Sequence, residues 1–278
     1  MRVLDAIGDS RLGLTALAVG LVVLVVLAQI AVKRLPIARH FMKMNDIIGF
    51  YLNLIGVLYA VALAFIMVAV WENFDQTQRL TDQEEGALEG ITYLAHGLPG
   101  NFGTQIQDRT RTYAQTVISD EWPRLAQNRD SMRLDRASKQ LGLQILAYDP
   151  KDTRGAAIDE QLLQEFSSLE SFRDQRRISA HHRIPESLWS LMLFGGFATI
   201  ALCFMFGVEH TGLHCFKTAT VAAFVVMSLV ITWDLQAPFT GFAQADPSAF
   251  STFLSTDPFS PEGRSAVPAP SFPAESHK

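Results

Sequence analysis

Four stretches of the chain contain no Asp, Glu, Lys or Arg, and they restrict the fold more than any other feature. These stretches are residues 12–32, 47–70, 188–208 and 218–233. The first three reach the length of about 20 apolar residues that a helix needs to cross a bilayer. The fourth is shorter, but the membrane-spanning segment can also include Lys217 when this residue extends its amine to the lipid headgroups. The pattern predicts a multi-pass membrane protein with four spans.

The composition excludes several other classes of protein. Charged residues make up 18% of the chain, against about 25% in soluble proteins. We therefore exclude a soluble enzyme, a disulfide scaffold and a fully disordered chain. The net charge of −5 argues against nucleic acid as a partner. The first uncharged run is followed at once by Lys33 and Arg34 and is longer than a signal-peptide core, so we expect it to be retained as a helix.

The predicted fold class is all-α, with four transmembrane helices and a helical soluble insert between the second and third. The insert carries 14 Lys/Arg and 19 Asp/Glu in 116 residues, which accounts for the whole net charge. The predicted domains are an N-terminal transmembrane pair at 1–71 (spans about 12–32 and 47–70), the insert at 72–187, a C-terminal transmembrane pair and turn at 188–250 (spans about 188–208 and 215–235), and a disordered Pro-rich tail at 251–278.

Apolar residues recur at helical spacing throughout the insert. The clearest stripe runs through Ile158, Leu162, Phe166, Leu169 and Phe172, at intervals of three or four. We predict four insert helices, at about 72–97, 102–120, 131–147 and 155–183, the first continuing straight out of the second span. The acidic residues Asp82, Glu84, Glu85 and Glu89 are expected to form a solvated face of that first helix.

The charges leave the sidedness of the insert open. Four cations lie in the loop at 33–46, and the positive-inside rule would place this loop in the cytoplasm and the insert outside. With Lys217 this side has five cations. The opposite side has seven, namely Arg2, Arg11, Arg79, Arg173, Arg176, Arg177 and Arg183.

Two rows of small residues suggest close helix packing in the membrane. The second span carries Gly49, Asn53, Gly56, Ala60 and Ala64, and the third carries Gly195, Thr199, Cys203 and Gly207. These rows pack either within one four-helix unit or against a neighbouring subunit or pore.

The other side of the second span offers bulky apolar residues, which face lipid or form a hydrophobic gate. The candidate pore-lining or packing residues are therefore Asn53, Leu54, Leu58 and Phe65.

The sequence predicts no enzyme, no cofactor and no metal site. It contains no phosphate loop, dinucleotide fingerprint or nucleophile motif. The group Glu209, His210 and His214 is disfavoured as a metal site, because Gly212 breaks the connection and no further ligand group accompanies it.

Three segments together carry a resemblance to a known family. The first segment runs from Asn45-Asp46-x-x-Gly49 through Tyr59-Ala60-Val61-x-Leu63-Ala64-Phe65 to Trp71-Glu72. The second segment is Tyr113-x3-Val117-x3-Glu121-Trp122-Pro123. The third segment combines Pro185-x-x-Leu188-Trp189 with Asp234-x3-Pro238-Phe239-x-Gly241. Over about residues 40–250 the chain resembles the uncharacterised bacterial membrane family labelled bestrophin-like, which is more distantly related to the bestrophin anion channels.

The resemblance implies an architecture and a function. Bestrophins are pentameric anion channels with four spans per subunit and a helical cytosolic region between the second and third. By this resemblance we expect a homo-oligomer of pentameric type in the bacterial inner membrane, with inorganic anions as ligands and a cytoplasmic insert. The sequence lacks an acidic calcium-clasp run, and its second span does not securely match the bestrophin aromatic neck.

The motif residues are expected near the membrane boundary. Trp71 and Trp189 stand where spans meet water, as interfacial aromatics do. Asp46 and Glu72 bracket the second span, where either can pair with Arg177 or Arg183. Asp234 can accept backbone or Arg hydrogen bonds at a turn formed by Pro238, Phe239 and Gly241. The remaining motif residues are Glu121, Trp122 and Pro185.

Two functions fit this sequence. The first is an oligomeric channel for anions. The alternative is a non-conducting membrane sensor or scaffold whose helical insert binds a partner.

Overall fold

The computed structural model describes residues 11–34, 44–206 and 211–256, and every regular element in this part of the chain is helical. The prediction of an all-α fold is confirmed. The helices are α1 (Arg11–Lys33), α2 (Asn45–His96), α3 (Phe102–Thr116), a π-helical segment (Val117–Glu121), α4 (Trp122–Ala126), α5 (Met132–Leu146), α6 (Thr153–His181), α7 (Glu186–Met205), α8 (Thr211–Leu235) and α9 (Ser248–Thr256).

Four of these helices, α1, α2, α7 and α8, are long and apolar enough to cross a membrane, as predicted. The longest is α2, which continues without interruption for 52 residues. At 1.5 Å per residue it is about 78 Å long, whereas a bilayer core is about 30 Å thick. The second span and the first helix of the predicted insert are therefore one helix.

The described residues divide into two compact units. One lies within 1–79 and 177–245, and we call it the apolar unit; the other lies within 80–176 and 246–278, and we call it the polar unit. In the apolar unit, α8 packs against both α1 and α7. Its buried core includes Leu63, Ile66 and Val70 of α2 with Met192 of α7 and Leu235 of α8.

Adjacent glycines let the apolar helices approach each other closely. A Cβ on Gly195 would overlap the ring of Tyr59, and a Cβ on Gly196 would lie 2.9 Å from Val225 Cγ1. Tyr59 belongs to α2 and Val225 to α8, so α7 uses these two glycines to contact both helices. Such close backbone approach is the usual source of helix association in lipid.

The polar unit is a four-helix bundle made from the second half of α2 with α3, α5 and α6. Its core side chains are almost completely withdrawn from solvent, including Leu88, Ile91, Ile106, Leu134, Leu141, Ile145, Leu162 and Leu169. Each helix contacts two neighbours. The contacts are Thr92–Thr110 for α2 and α3, Arg109–Gln140 for α3 and α5, Asp135–Arg173 for α5 and α6, and Glu84–Arg176 for α6 and α2. Helices α2 and α5 therefore occupy opposite corners.

The structure corrects the expected tail. Residues 251–256 belong to α9, so the prediction of disorder is wrong for these residues. The reason is apolar spacing, since Phe250 and Phe253 are buried in the core of the polar unit and Leu254 packs against it. The rest of the predicted tail, 257–278, lies outside the described residues.

Replacing either of two helical glycines of the polar unit by alanine is predicted to change its stability in opposite directions. A Cβ on Gly103 would overlap the carbonyl oxygen of Ala95, whereas a Cβ on Gly86 would meet nothing within 4 Å. We expect Gly103→Ala to destabilise the protein by about 1–3 kcal/mol, because a backbone atom must move. Gly86→Ala should stabilise it by about 0.5–1 kcal/mol. Denaturation followed by circular dichroism in detergent measures both; equal midpoints would contradict the close packing of α2 and α3.

Candidate functional site

The predicted pore-lining residues lie on an uncovered face of α2. The side chains of Leu54, Leu58 and Phe65 are 46%, 63% and 74% exposed. Their spacing of four and seven keeps them on one side of the helix. The single chain therefore leaves this face free for lipid, for a neighbouring subunit or for a pore.

Asn53 lies in a different place, in a groove between the small-residue rows. The groove has a volume of about 570 Å³ and is open on one side. Its lining includes Gly49, Gly56 and Ala60 of α2 and Thr199 and Cys203 of α7. The structure thus brings parts of the two small-residue rows together, with Asn53 exposed on the lining of the groove. Gly207, the last member of the second row, lies outside the described residues.

A turn built around Asp234 follows α8. The two carboxylate oxygens of Asp234 accept hydrogen bonds from the backbone N–H groups of Phe242 and Ala243, at 2.8 and 3.0 Å. Gly241 has a φ of 87°, and a Cβ there would overlap Asp234 Oδ1. Pro238 accepts from the N–H of Ala245 at 2.6 Å. The motif residues therefore close one compact turn, and Phe239, also in the motif, is 5% exposed within it.

Gln236 joins this turn to the start of α7. The indole Nε1 of Trp189 donates to the side-chain oxygen of Gln236 at 3.3 Å, and its ring meets Trp233 edge-on at 5.6 Å. Arg183 Nη1 donates to the backbone oxygen of Gln236 at 2.8 Å. Pro185 stands at the N-cap position of α7.

The motif residues expected at the membrane boundary on α2, which are Asp46, Trp71 and Glu72, are exposed. Asp46 lies in the first turn of the helix, where the helix dipole favours a negative charge. Trp71 is 55% exposed and packs a tilted ring against Phe74 at 6.1 Å. Glu72 follows it on the surface. The pairing of Asp46 or Glu72 with Arg177 or Arg183 stays a prediction.

The second motif, around Tyr113, belongs to a buried ion network in the polar unit. Arg176 donates from Nε and Nη2 to Glu84, at 2.6 and 3.0 Å, and from Nη2 to Glu121 at 2.5 Å. The hydroxyl of Tyr113 donates to Glu84 at 2.7 Å. All four residues are at most 1% exposed. We call these four residues the buried ion network; it ties α2, α3 and α6 together.

The π-helical segment explains the position of Glu121. Tyr113, Val117 and Glu121 follow each other at intervals of four, and all are buried. Pro123 has no N–H to donate to the preceding turn, and the helix widens just before it. The widened turn also places the ring of Trp122 5.3 Å from the guanidinium carbon of Arg176, within the range of a cation–π contact.

Burial and charge act against each other in this network. Burial lowers the pKa of Arg176, but the charges of Glu121 and Glu84 outweigh it and raise the pKa above its ordinary value. Burial raises the pKa of Glu121, and the charge of Arg176 opposes this. Burial and then the charge of Glu84 raise the pKa of Tyr113 far above its ordinary value. The arginine therefore stays charged, and the phenol stays a hydrogen-bond donor.

A second set of ion pairs surrounds the network. Arg173 is 5% exposed and pairs with Asp135 at 2.5 Å and with Glu121 at 3.8 Å. Asp120 accepts from the hydroxyl of Ser131 at 2.5 Å, and this bond lowers the pKa of Asp120. The first of these contacts joins α6 to α5, and the bond between Asp120 and Ser131 joins the π-helical segment to the start of α5.

The Bestrophin-like domain family matches residues 19–250, which covers part of α1 and the whole of α2 to α8. The chain belongs to the Bestrophin-like family. The resemblance expected from the motifs is thereby confirmed, although no curated protein matches the sequence.

Solved structures show the same fold as this Bestrophin-like protein. A bacterial bestrophin homologue from Klebsiella pneumoniae, carrying a tryptophan-to-alanine mutation, aligns with a TM-score of 0.63 at 16% identity over 87% of this chain and 96% of its own. A membrane protein with a glycine-to-alanine mutation aligns with a TM-score of 0.62 at 14% identity, over 90% and 99%. A membrane protein with a proline-to-alanine mutation gives 0.60 at 14%, over 84% and 95%.

The buried ion network corrects two expectations from the sequence. Glu84 was expected on a solvated face, yet it is completely buried. Arg173 and Arg176 were counted as cations near span ends, yet both are buried in the polar unit, which leaves five cations on each side. The sequence does contain a sign that these two arginines are buried, because Arg173 and Arg176 continue the apolar stripe of Leu162 and Leu169 at helical spacing.

We expect loss of the arginine in the network to be costly. Arg176→Met leaves Glu84 buried without its cation and leaves Glu121 with only Arg173 at 3.8 Å, so it should destabilise the protein by about 3–5 kcal/mol. Arg154→Met, at an exposed position of the same helix, should change stability by less than about 0.5 kcal/mol. Chemical denaturation in detergent measures both. Adding Glu84→Gln and Glu121→Gln to Arg176→Met should recover part of the loss; no recovery would contradict the electrostatic explanation.

The turn after α8 gives a second prediction. Gly241→Ala must displace Asp234 and adopt a positive φ, so we expect a loss of about 1–3 kcal/mol. Gly212→Ala, at the start of α8, meets nothing within 4 Å and serves as the control. Thermal unfolding in detergent compares them, and matching transitions would show that the turn does not need glycine.

Proposed function

We propose that this Bestrophin-like protein is a multi-pass protein of the bacterial inner membrane that assembles as a homo-oligomer and conducts inorganic anions. The observation that carries the proposal is the family match across residues 19–250, which reaches all four apolar helices. Bestrophins are anion channels of five subunits, and a pentamer is the assembly we propose. Residues 72–187 would then form a soluble helical insert in the cytoplasm.

The exposed face of α2 supports an oligomeric pathway. A single chain with four spans encloses little water, so an ion pathway needs a central axis shared by several subunits. Leu54, Leu58 and Phe65 are the exposed side chains that would surround such an axis. Rings of apolar side chains close a pore by excluding water, and opening requires them to separate.

The uncharged spans argue against other transport mechanisms. Residues 47–70 and 188–208 contain no acidic or basic side chain. Proton relays and charge-coupled pumps place such side chains inside the membrane. A passive pore, selective by size and by polar groups such as the amide of Asn53, fits this composition better.

The alternative function is a non-conducting scaffold whose polar unit binds a partner. The observation that favours it is the set of large apolar side chains on the surface of the polar unit, where Tyr93, Leu143 and Leu146 are 71%, 68% and 67% exposed. Apolar groups of this size at a surface often mark an interface. A stable partner recovered with the purified full chain, together with absence of current, would favour this alternative.

Two phenylalanines with similar exposure test the pore assignment. Phe65 on α2 is 74% exposed and Phe224 on α8 is 72% exposed. In planar bilayers the purified protein should carry a chloride-dependent current. We expect Phe65→Ala to raise this current severalfold because it removes an apolar constriction, and Phe224→Ala to leave it unchanged.

Two results would contradict the proposal. Absence of current over a wide range of voltage and pH would count against conduction, and a monomeric particle in mild detergent would remove the shared axis. Equal effects of Phe65→Ala and Phe224→Ala would instead contradict only the assignment of the pore-lining face.

A further inference from the structure

Helix α5 carries a second contact face that the bundle does not use. One side of α5 is buried in the polar unit. The other side carries exposed residues at alternating intervals of four and three, which are Met132, Arg136, Lys139, Leu143 and Leu146. We call this set the basic stripe. Such spacing keeps the side chains in one line and is typical of helices that pack against a partner helix.

The basic stripe combines large apolar side chains with positive charge. Met132, Leu143 and Leu146 are 68%, 68% and 67% exposed. Arg136 and Lys139 lie between them, and the structure gives neither an ion-pair partner among the residues it describes. An apolar and cationic line of this kind fits a surface that is apolar and anionic.

A surface of that kind lies on α2, at the opposite corner of the bundle. Glu85 and Glu89 lie one turn apart on the outer side of α2, and like charges at this spacing destabilise a helix. Asp82 precedes them, and Tyr93, 71% exposed, follows one turn later. We call Asp82, Glu85, Glu89 and Tyr93 the acidic stripe.

The two stripes also match in height along the bundle. Helix α6 contacts both α2 and α5. Positions along α6 can therefore be used to compare the heights of residues on α2 with those of residues on α5. Arg176 contacts Glu84 of α2, and a Cβ on Gly90, six residues further along α2, would lie 3.2 Å from Glu165. The interval from Glu84 to Gly90 on α2 thus corresponds to 176–165 on α6.

Contacts of α5 with α6 give the height of the basic stripe along the bundle in the same way. Arg173 contacts Asp135 of α5, and a Cβ on Gly142 would lie 2.6 Å from the ring of Phe166. On α6, positions 173 and 166 fall between positions 176 and 165, so the interval from Asp135 to Gly142 overlaps in height with the interval from Glu84 to Gly90. Arg136 and Lys139 are at the height of Glu85 and Glu89, while Leu143 and Leu146 are at the height of Tyr93.

We propose that the acidic stripe of one copy packs against the basic stripe of the next copy. The inference rests on the proposed homo-oligomer and names the surfaces that join its polar units. Two different patches on one subunit make a head-to-tail contact, and such a contact forms a ring when the rotation between neighbouring copies closes. For an axis parallel to the bundle, groups at equal height meet, so carboxylates face cations and Tyr93 packs on Leu143 and Leu146.

Cross-linking tests the contact directly. The full chain carrying both Tyr93→Cys and Leu146→Cys, oxidised in mild detergent, should give a ladder of covalent multimers that ends at the closed ring. Each single variant, and the pair Tyr93→Cys with Asp108→Cys on the outer side of α3, should give no ladder. Absence of a ladder from the first pair, in a sample that is oligomeric by mass, would overturn the proposal.

Charge reversal gives an independent test. Glu85→Lys with Glu89→Lys should weaken association by about tenfold or more at low salt, and Arg136→Glu with Lys139→Glu should do the same. All four changes together should restore the oligomer, because the complementary charges are exchanged. Native mass measurement in detergent reads the result, with circular dichroism to verify folding.

The outcomes separate this inference from the function on which it rests. A wild-type oligomer that neither charge reversal weakens would overturn the assigned contact and leave the homo-oligomer standing. A wild-type monomer would remove the homo-oligomer and the contact with it. Restoration by the fourfold variant supports the contact specifically, since general damage to the fold would not be repaired.

Discussion

Hydrocarbon offers the peptide backbone no hydrogen-bond partners, and this constraint determines the architecture of the chain. Inside a bilayer each N–H and C=O must be satisfied within its own segment, which a continuous helix achieves. The four uncharged stretches accordingly appear as α1, α2, α7 and α8. Their packing then relies on close contact rather than on exclusion of water. The ring of Tyr59 illustrates this, because it packs so closely on Gly195 that a Cβ there would overlap it.

The polar unit is organised by a different interaction. A guanidinium withdrawn from water is tolerable only when carboxylates and hydrogen bonds replace its hydration. Glu84 and Glu121 provide this for Arg176, and Tyr113 completes the coordination of Glu84. Because the four groups come from different helices, the network selects one alignment of those helices among the several that an apolar core alone would accept.

Hydrophobic periodicity was sufficient to predict the fold class, the four spans and the continuation of α2 beyond the second span. It was not sufficient for the buried ion network, because Glu84 and Arg176 are charged residues on apolar stripes and charge alone suggests a surface. The motif containing Tyr113 and Glu121 was visible as a spacing, but its meaning depends on Arg176, 55 residues further along the chain. The apolar stripe of α6 indicates that Arg176 is buried, but no local pattern in the sequence shows which carboxylates it pairs with.

The position of α9 limits how the chain can be threaded through a bilayer. Phe250 and Phe253 are buried in the core of the polar unit, although α7 and α8 separate them from it along the chain. A polypeptide that leaves one aqueous compartment through α7 must come back through α8 to deliver these two rings. If the polar unit is the soluble insert proposed above, the chain would cross the bilayer an even number of times between Arg176 and Ser248, and a reporter fused behind α9 would share the compartment of the bundle.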